Sequence, residues 1–259
     1  MIGKNKIQDY LKKIIVIYKY ESCAGCAQVC NTLDSLNLKY KKILRDKAAP
    51  QDFKNKSFVI IVAGDGTTLR TCQKIKNECL ILTVNSSPLT TEGFLTRAKI
   101  DNFHKKFSNI IKGNFKIEKI PKLKVKVNNK ILPKRAINEV LISTKSPYHT
   151  FIYDLNENIE KSTGILVSTP IGSTGWAKSA GGKVMKPNSK KMQFVIREPY
   201  NGRIYKVKKK YGIVDSFKVK AISPGIIVFD SVENEFHFKK EDIIEVIYSK
   251  ETLNFINPK

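Results

Sequence analysis

Residues 58–70 read FVIIVAGDGTTLR, an apolar run followed by a glycine-rich turn and the first residues of a candidate helix. Phe58–Val62 has the length and the β-branched content of a buried strand. Gly64 and Gly66 permit a tight turn, and the threonines after them can cap a helix predicted over Thr67–Lys76. A phosphate at that helix N-terminus would meet unpaired N–H groups and the positive end of the helix dipole.

Asp65 lies between the two glycines, at the end of the predicted strand. An aspartate in this position can orient a hydroxyl towards a phosphoryl donor or accept its proton. Since an ordinary aspartate is a weak base at neutral pH, the orienting role is favoured. A turn aspartate can also simply cap a helix, and both interpretations stay open at this point. The motif is neither a Walker A loop nor a complete G-x-G-x-x-G fingerprint, because Leu69 takes the third glycine position.

The first hundred residues alternate strand-like and helix-like segments. Strands are predicted at Ile14–Tyr18, Phe58–Val62 and Leu80–Val84, and helices at Ser22–Leu36, Thr67–Lys76 and about Ile100–Ile111. This alternation predicts an α/β domain over residues 1–100, with a Rossmann-like, mostly parallel sheet and helices on both faces. In such sheets, ligands bind outside the carboxyl ends of the strands.

From about residue 115 to 248 the pattern changes to short alternating strands separated by turn signals. Hairpin turns are predicted at Asn128-Asn129, at Asn156–Asn158 and near Glu233-Asn234. The pattern predicts an all-β domain over residues 101–259, built as an antiparallel β-sandwich. The lysine-rich run 206–210 is expected to be a solvated strand edge. The tail from Lys250 carries no clear signal and can return to the first domain.

Composition limits the classes of function. Of the 47 basic residues behind the net charge of +24, only six are arginine, and lysines are scattered through the whole chain. Because recognition of phosphates and bases favours arginine, we expect no specific nucleic-acid partner. The chain contains no apolar run of the roughly 20 residues that span a membrane, so we expect a cytoplasmic protein without a membrane partner.

Five cysteines, an odd number, argue against a disulfide framework. Cys23, Cys26 and Cys30 lie within eight residues and could hold a metal or act as a redox pair. A structural zinc site needs a fourth ligand, however, and the three histidines of the chain lie far away in sequence. The spacing also fits one face of a helix, so small buried thiols are the favoured interpretation.

A second glycine-rich stretch, residues 168–182, reads STPIGSTGWAKSAGG and follows the strand-like Ile165–Val167. Hydroxyls and backbone N–H groups collected in one turn can bind phosphate and ribose oxygens. Similar composition also occurs in ordinary surface turns, so the stretch alone does not decide between a binding loop and a plain turn.

Together with two further motifs, these stretches resemble the NAD kinase family. Gly64–Thr67, Asn138-Glu139 and Ser168–Thr174 occur in the order and approximate spacing of that family, and residues 85–96 are similar to its Asn…Gly-Phe-Leu-Thr element. The Gly-Asp-Gly-Thr motif is shared with diacylglycerol kinases and phosphofructokinases of the same superfamily, whereas the Ser-Thr-Pro run is more specific. The resemblance extends from about residue 14 to 248.

The resemblance implies transfer of the γ-phosphoryl group of ATP, or of polyphosphate, to the 2′-hydroxyl of the adenosine ribose of NAD. Asp65 matches the catalytic aspartate of the family, and a homodimer or homotetramer is implied. Mg²⁺ is expected on the donor phosphates, with no protein side chain assigned as a metal ligand and no tightly bound prosthetic group. The implied nucleotide-binding residues are Gly64, Gly66, Thr67, Arg70, Asn138, Glu139, Lys161, Thr163, Thr174, Gly175, Trp176 and Ser179.

Departures from the family pattern leave the choice of substrate open. Thr163 stands where the family commonly has an aspartate, and Trp176 replaces its usual tyrosine but keeps an aromatic face for stacking. Ala63, Ile171 and Gly175 are milder changes. Two rival functions remain: a lipid or other small-molecule kinase of the same superfamily, and a catalytically inactive nucleotide-binding or regulatory relative. The Ser-Thr-Pro run and Asn138-Glu139 argue against the first, and the presence of Asp65 argues against the second.

Overall fold

The computed structural model describes residues 4–20, 23–54, 57–75 and 79–259. The chain divides into two compact units, residues 1–120 together with 251–259, and residues 121–250. The first unit therefore extends past the boundary at residue 100 that the change in periodicity predicts. The reason is a helix, Phe103–Ile111, which buries Phe103, Phe107 and Ile110 in the core of the first unit.

The first unit is built on parallel strands. Its helices are α1 (Lys4–Leu11), α2 (Ala24–Ser35), α3 (Asp65–Lys74) and α4 (Phe103–Ile111), and its strands are β1 (Ile14–Tyr18), β2 (Tyr40–Leu44), β3 (Phe58–Val62), β4 (Leu80–Asn85) and β5 (Ala98–Lys99). The order β2-β1-β3-β4, with every neighbouring pair parallel, confirms the predicted Rossmann-like sheet. Every residue of β3 and β4 is buried, which explains why β3 is a continuous apolar run and β4 is mostly apolar.

Several elements of this unit differ from the predictions. Helix α3 begins at Asp65 rather than Thr67, because the extended backbone of Gly64 already forms its N-cap. Helix α2 begins at Ala24, and Ser22 lies outside the described residues, as does Lys76 at the predicted end of α3. Strand β2 was not predicted, since Ile43 is its one buried residue and two lysines precede it.

The second unit is an antiparallel sandwich. Its strands are β6 (Phe115–Val127, which begins in the first unit), β7 (Lys130–Ala136), β8 (Glu139–Ser143), β9 (Phe151–Asp154), β10 (Ile159–Ser162), β11 (Gly164–Ser168), β12 (Met192–Arg197), β13 (Tyr211–Val214), β14 (Phe217–Ala221), β15 (Gly225–Phe229), β16 (Val232–Phe238) and β17 (Ile243–Pro258), with one short helix, α5 (Trp176–Ser179). One sheet has the order β13-β12-β11-β8-β15-β16, and β10, β9, β14 and β17 are consecutive in the other. Side chains of both sheets share one apolar core, which confirms the sandwich.

Two of the three predicted hairpin turns are confirmed. Asn128-Asn129 and Asn156-Glu157 have positive φ angles, as tight turns between twisted strands require. The third prediction was wrong, because the turn falls at Asp230-Ser231, where both φ angles are positive. Glu233 and Asn234 belong instead to the backbone of β16.

One more prediction about the second half of the chain was wrong. Residues 206–210 are irregular rather than a strand edge, since the N–H groups of Val207 and Lys208 bind the side chains of Asn201 and Glu160 instead of a neighbouring strand. The tail from Lys250, for which the sequence carries no clear signal, continues strand β17 to Pro258. Residues 251–259 belong to the first unit, where Asn254 and Phe255 pair with β4 in parallel. Within the described residues, the helices are too short or too polar to cross a bilayer.

Candidate functional site

A pocket of about 660 Å³ opens in the first unit beside the loops that follow β1, β3 and β4. This is the place where ligands bind to open parallel sheets, because the carboxyl ends of the strands meet there. The turn from Gly64 to Thr67 forms one side, and Thr90 and Thr91 contribute from the loop after β4. The pocket therefore collects glycines and hydroxyls at the start of helix α3, as residues 58–70 predict.

The charge of the pocket is mainly positive. Lys19, Arg45 and Arg70 line it, and Asp65 is the one carboxylate among the lining residues that the structure describes. Arg45 is held in place, since its guanidinium forms two 2.8 Å bonds to Asp46 and a 3.4 Å bond to the Thr67 hydroxyl. Cations grouped at a helix N-terminus are suited to a chain of phosphates.

Sequence reasoning identified Arg70 but missed Lys19 and Arg45. Each of these two residues directly follows a strand of the parallel sheet, Lys19 after β1 and Arg45 after β2. Lys19 could have been identified from the sequence, since it follows the predicted strand β1 and ligands bind at the carboxyl ends of parallel strands. Arg45 was hidden because β2 itself was not recognised.

Asp65 is fixed by a distant loop rather than by its own helix. Its Oδ2 accepts the backbone N–H of Phe94 at 2.9 Å, and its Oδ1 accepts the N–H of Leu95 at 3.0 Å. The N-cap of α3 is Gly64, so the simple capping interpretation of Asp65 was wrong. Both oxygens keep a further lone pair, with which they can accept a hydrogen bond from a ligand hydroxyl.

The loop after β4 owes its shape to Asn85 and Gly93. The buried Asn85 side chain accepts the Thr91 hydroxyl at 2.8 Å and the Ser87 N–H at 2.9 Å. Gly93 has a φ of 68°, and a Cβ there would lie 2.6 Å from Asn85 Nδ2. The Asn…Gly-Phe-Leu-Thr element thus shapes a wall of the pocket and presents the two N–H groups that bind Asp65.

Asn138 and Glu139 lie in the second unit, where β8 begins, and Asp230 holds their backbone. The Asp230 carboxylate accepts the N–H groups of Ile137 at 2.9 Å, Asn138 at 2.7 Å and Glu139 at 3.2 Å. In return, the N–H of Asp230 donates to the carbonyl of Glu139 at 2.9 Å. Sequence reasoning missed Asp230, because it lies 92 residues after Asn138, the residue whose N–H it binds.

Two acceptor atoms of this pair are buried without a partner. Among the described residues, neither Asn138 Oδ1 nor Glu139 Oε2 has a hydrogen-bond partner, although Glu139 is only 4% exposed. Burial, with a smaller contribution from the Asp230 charge, raises the pKa of Glu139 to about 8. At neutral pH the Glu139 side chain is therefore mostly protonated and can both donate and accept. Both oxygens are therefore available for a hydrogen bond to a ligand.

The loop 168–182 packs directly on Asn138. A Cβ on Gly172 would lie 2.1 Å from the Asn138 carbonyl oxygen, and that carbonyl accepts the N–H of Thr169 at 2.8 Å. The Ser173 and Thr174 hydroxyls donate to carbonyls of their own turn, at 2.6 Å and 2.9 Å. Several hydroxyls that the sequence analysis attributed to ligand binding therefore stabilise the shape of the loop.

The remaining predicted residues of the second unit lie near the pairing of β11 with β12. Trp176 begins α5, with the Arg197 guanidinium 4.9 Å from the centre of its ring. Lys161 lies 4.9 Å from the centre of the Tyr200 ring. The Thr163 hydroxyl binds the Glu198 carboxylate. Gly175 is the N-cap of α5, and Ser179 ends that helix.

The cysteines do not form a metal site in the described part of the chain. All five are free, and no cluster of three or more potential ligands is present there. Cys26 and Cys30 are buried side by side, and burial, reinforced by Cys30, raises the pKa of Cys26 to about 12. Cys23 differs, because it is the half-buried N-cap of α2 and lines the pocket.

Comparisons with known proteins agree with these motifs. The family model described as the ATP-NAD kinase C-terminal domain matches residues 108–258. The NAD kinase of Fusobacterium nucleatum is 30% identical to this chain, and the match covers 85% of this chain and 86% of the relative. The NAD kinase of Thermoplasma acidophilum is 27% identical, and the match covers 95% of this chain and 93% of the relative. The fold is similar to that of the Archaeoglobus fulgidus NAD kinase, with a TM-score of 0.77 at 24% identity, covering 94% of this chain and 92% of the other. The family model and the sequence identity to curated relatives establish that the chain belongs to the NAD kinase family of phosphotransferases.

Proposed function

We propose that this protein is an NAD kinase that transfers the γ-phosphoryl group of ATP to the 2′-hydroxyl of the adenosine ribose of NAD. The observation that carries the proposal is the pocket of the first unit, in which one anchored carboxylate is surrounded by cationic side chains. Phosphoryl transfer depends mainly on neutralised phosphates and a correctly placed hydroxyl. The pocket has groups for both tasks.

In this proposal the cationic residues bind the phosphate donor. Lys19, Arg45 and Arg70 neutralise the phosphate chain, and the free N–H groups at the start of α3 bind its oxygens. The bond of Arg45 to Thr67 fixes the guanidinium relative to the helix N-terminus. Side chains that are already positioned lose less entropy when they bind a ligand.

Asp65 orients the hydroxyl that attacks the γ-phosphorus. Its two oxygens are fixed by the N–H groups of Phe94 and Leu95, and each can still accept the hydrogen bond of a ribose hydroxyl. As the new O–P bond forms, the bond to the leaving ADP breaks and the hydroxyl proton passes to the Asp65 carboxylate. A carboxylate held in this way acts by positioning, which suits a loose transition state.

Asn138 and Glu139 bind the acceptor nucleotide. Their buried, unpartnered oxygens support this role, since a ligand that hydrogen-bonds to them removes the free-energy cost of leaving them unsatisfied. The protonated Glu139 side chain can donate to one ligand oxygen and accept from a ligand N–H or O–H.

Mg²⁺ enters the proposal together with the donor phosphates. Only one carboxylate, Asp65, is present among the described residues that line the pocket. Such a donor set fits an ion that is bound mainly by phosphate oxygens and water, with at most one protein carboxylate. When bound, Mg²⁺ neutralises charge on the donor phosphates.

The proposal includes three finer points, of which the family resemblance leaves the first two open and implies the oligomeric state. NAD is the acceptor rather than NADH, ATP is the donor rather than polyphosphate, and the enzyme is a cytoplasmic homodimer or homotetramer. Light scattering after size exclusion measures the oligomeric state directly.

A coupled assay tests the proposed activity. Purified protein is incubated with Mg²⁺, with ATP, other nucleoside triphosphates or polyphosphate as donor, and with NAD or NADH as acceptor. NADP is then detected with an NADP-specific dehydrogenase. We expect NADP from NAD and ATP. If no donor yields NADP or NADPH, the proposal is wrong, and phosphorylation of diacylglycerol in its place would favour the rival lipid-kinase function.

A further inference from the structure

Two cysteines, Cys23 and Cys26, lie one turn apart at the start of helix α2. Cys23 is the N-cap and Cys26 is the third residue of the helix, and the Cys26 N–H donates to the Cys23 carbonyl at 2.9 Å. The N-cap and the third residue of a helix turn their side chains towards each other, as in a capping box. The Cys23 side chain makes no capping hydrogen bond, so its sulfur can approach that of Cys26.

The two thiols differ in accessibility. Cys23 is half-buried and lines the pocket of the first unit, whereas Cys26 is only 3% exposed. The helix that carries them connects the parallel strands β1 and β2. An accessible cysteine followed three residues later by a buried one, at the start of a helix in a β-α-β unit, is typical of thiol–disulfide exchange sites.

The pocket surrounds the accessible thiol with positive charge. Lys19, Arg45 and Arg70 line the pocket together with Cys23. Glutathione disulfide is an anion at neutral pH, because its carboxylates outnumber its amino groups. A positive potential raises the local concentration of such a molecule. The pocket, at about 660 Å³, is also as large as typical sites for small molecules.

We propose that Cys23 and Cys26 are a redox-active pair that exchanges with small anionic disulfides such as glutathione disulfide. In the first step the Cys23 thiolate attacks one sulfur of glutathione disulfide, whose S–S bond breaks, and one glutathione leaves as a thiolate. In the second step the Cys26 thiolate attacks the Cys23 sulfur, and the second glutathione leaves. The protein loses two electrons to glutathione disulfide, and the two thiol protons pass through solvent to the leaving thiolates.

The second step should be the slower one. Burial, reinforced by Cys30, raises the pKa of Cys26 to about 12, so its thiolate is scarce at neutral pH. The thiolate is the species that attacks a disulfide. The mixed disulfide on Cys23 should therefore accumulate before the Cys23–Cys26 bond closes.

Oxidation should compete with the binding of phosphates, and this part of the inference rests on the proposed donor site. The mixed disulfide attaches a glutathionyl group to the wall of the pocket in which the donor phosphates are proposed to bind. Gly25, between the two cysteines, also packs on this wall, since a Cβ there would lie 3.1 Å from the Cβ of Ser86. Phosphates bound in the pocket should thus shield Cys23.

Mass spectrometry of one tryptic peptide tests the pair without any nucleotide. Trypsin releases residues 20–39, which contain Cys23, Cys26 and Cys30, separately from Cys72 and Cys79. The protein is incubated with glutathione disulfide, and the remaining thiols are alkylated before digestion. We expect the peptide first to carry one glutathione on Cys23. It should then lose the mass of two hydrogen atoms relative to the reduced peptide and be alkylated on Cys30 alone, and dithiothreitol should restore three alkylation sites.

Three variants and a phosphate probe complete the experiment. Cys26→Ser should stop at the mixed disulfide, and Cys23→Ser should give neither product. Cys30→Ser is the matched control, because Cys30 is a buried thiol of the same helix, and it should still form the disulfide. Inorganic tripolyphosphate, at ten times its own dissociation constant, should slow the first step in the wild type by about tenfold.

The outcomes are distinguishable. Three alkylated cysteines after exposure to glutathione disulfide would overturn the pair, as would a mixed disulfide that persists overnight at alkaline pH. A disulfide between Cys26 and Cys30, recognised by alkylation of Cys23, would also overturn it. A disulfide that forms equally fast with and without tripolyphosphate supports the pair and contradicts the proposed position of the donor phosphates beside Cys23.

Discussion

The carboxylate of Asp65 accepts the backbone N–H of Leu95 at 3.0 Å. This bond joins the start of α3 to the loop after β4 and, with the bond from Phe94, fixes Asp65, the one acid among the described residues that line the cationic pocket. An aspartate within a glycine-rich turn is thus held by a second loop. Its orientation depends on both segments, and the activity should be sensitive to both.

Loss of Asp230 should destabilise the protein. In Asp230→Ala the buried N–H groups of Ile137, Asn138 and Glu139 lose their acceptor, so we expect the free energy of unfolding to fall by about 2–4 kcal/mol. Urea unfolding measures this change. Asp215→Ala, at an exposed aspartate of the same unit, is the control and should change stability by less than about 0.5 kcal/mol. Equal effects of both variants would show that Asp230 does not organise this segment.

Stability should depend on pH through Glu139. Its pKa is raised to about 8 in the folded protein from an ordinary 4.5, so the folded state keeps the proton to higher pH. The stabilisation from the protonated Glu139 is fully present below pH 4.5 and is lost as the pH rises through about 8. Over this range the free energy of unfolding falls by up to about 1.4 kcal/mol per pH unit.

The variant Glu139→Gln, which cannot titrate, isolates this effect. Denaturant unfolding at several pH values from 5 to 9 should show that the wild type loses stability relative to the variant as the pH increases. Parallel stability profiles for the two proteins would mean that the pKa of Glu139 is not raised by folding.

Gly172 should not tolerate a side chain. A Cβ at this position would lie 2.1 Å from the Asn138 carbonyl oxygen, which is backbone and cannot move aside. We expect Gly172→Ala to reduce the free energy of unfolding by about 3 kcal/mol or more. Gly175→Ala in the same loop is the control, since its Cβ would meet its nearest atom at 3.6 Å. A wild-type unfolding midpoint for Gly172→Ala would contradict the packing of this loop on Asn138.

Cys23 should be the fast-reacting thiol of the native protein. The other four cysteines are buried, whereas Cys23 is half-buried and lines the pocket. Titration with Ellman's reagent should give one rapid equivalent that disappears in Cys23→Ser, and ATP should slow the reaction if it occupies the pocket. Two or more rapid equivalents would show that the other thiols are accessible as well.

The sequence was most informative where one local segment determines both structure and chemistry. Residues 58–70 predicted a strand, a turn and a helix, and this segment lines one side of the pocket with Asp65 and Arg70. Strand β2 was missed because two exposed lysines conceal its one buried residue, and the position of Arg45 was missed with it.

Residues whose role depends on distant partners could not be found from the sequence. Asp230 acts on Asn138 through a turn between two later strands, and Glu198 meets Thr163 only because β11 pairs with β12. No local pattern around either acid indicates these contacts. In the loop 168–182 the sequence suggested more than the structure shows. Its Ser and Thr content suggested ligand binding, but the Ser173 and Thr174 hydroxyls donate to carbonyls of the loop itself.

The most direct measurement of the central claim compares turnover and NAD binding in Asp65→Asn with those of the wild type, with Asp101→Asn as an exposed control of the same unit. We expect Asp65→Asn to form NADP from ATP and NAD at least about a hundredfold more slowly, with an affinity for NAD within about threefold of the wild type. Asp101→Asn should behave as wild type in both assays. Turnover by Asp65→Asn at the wild-type rate would contradict the account.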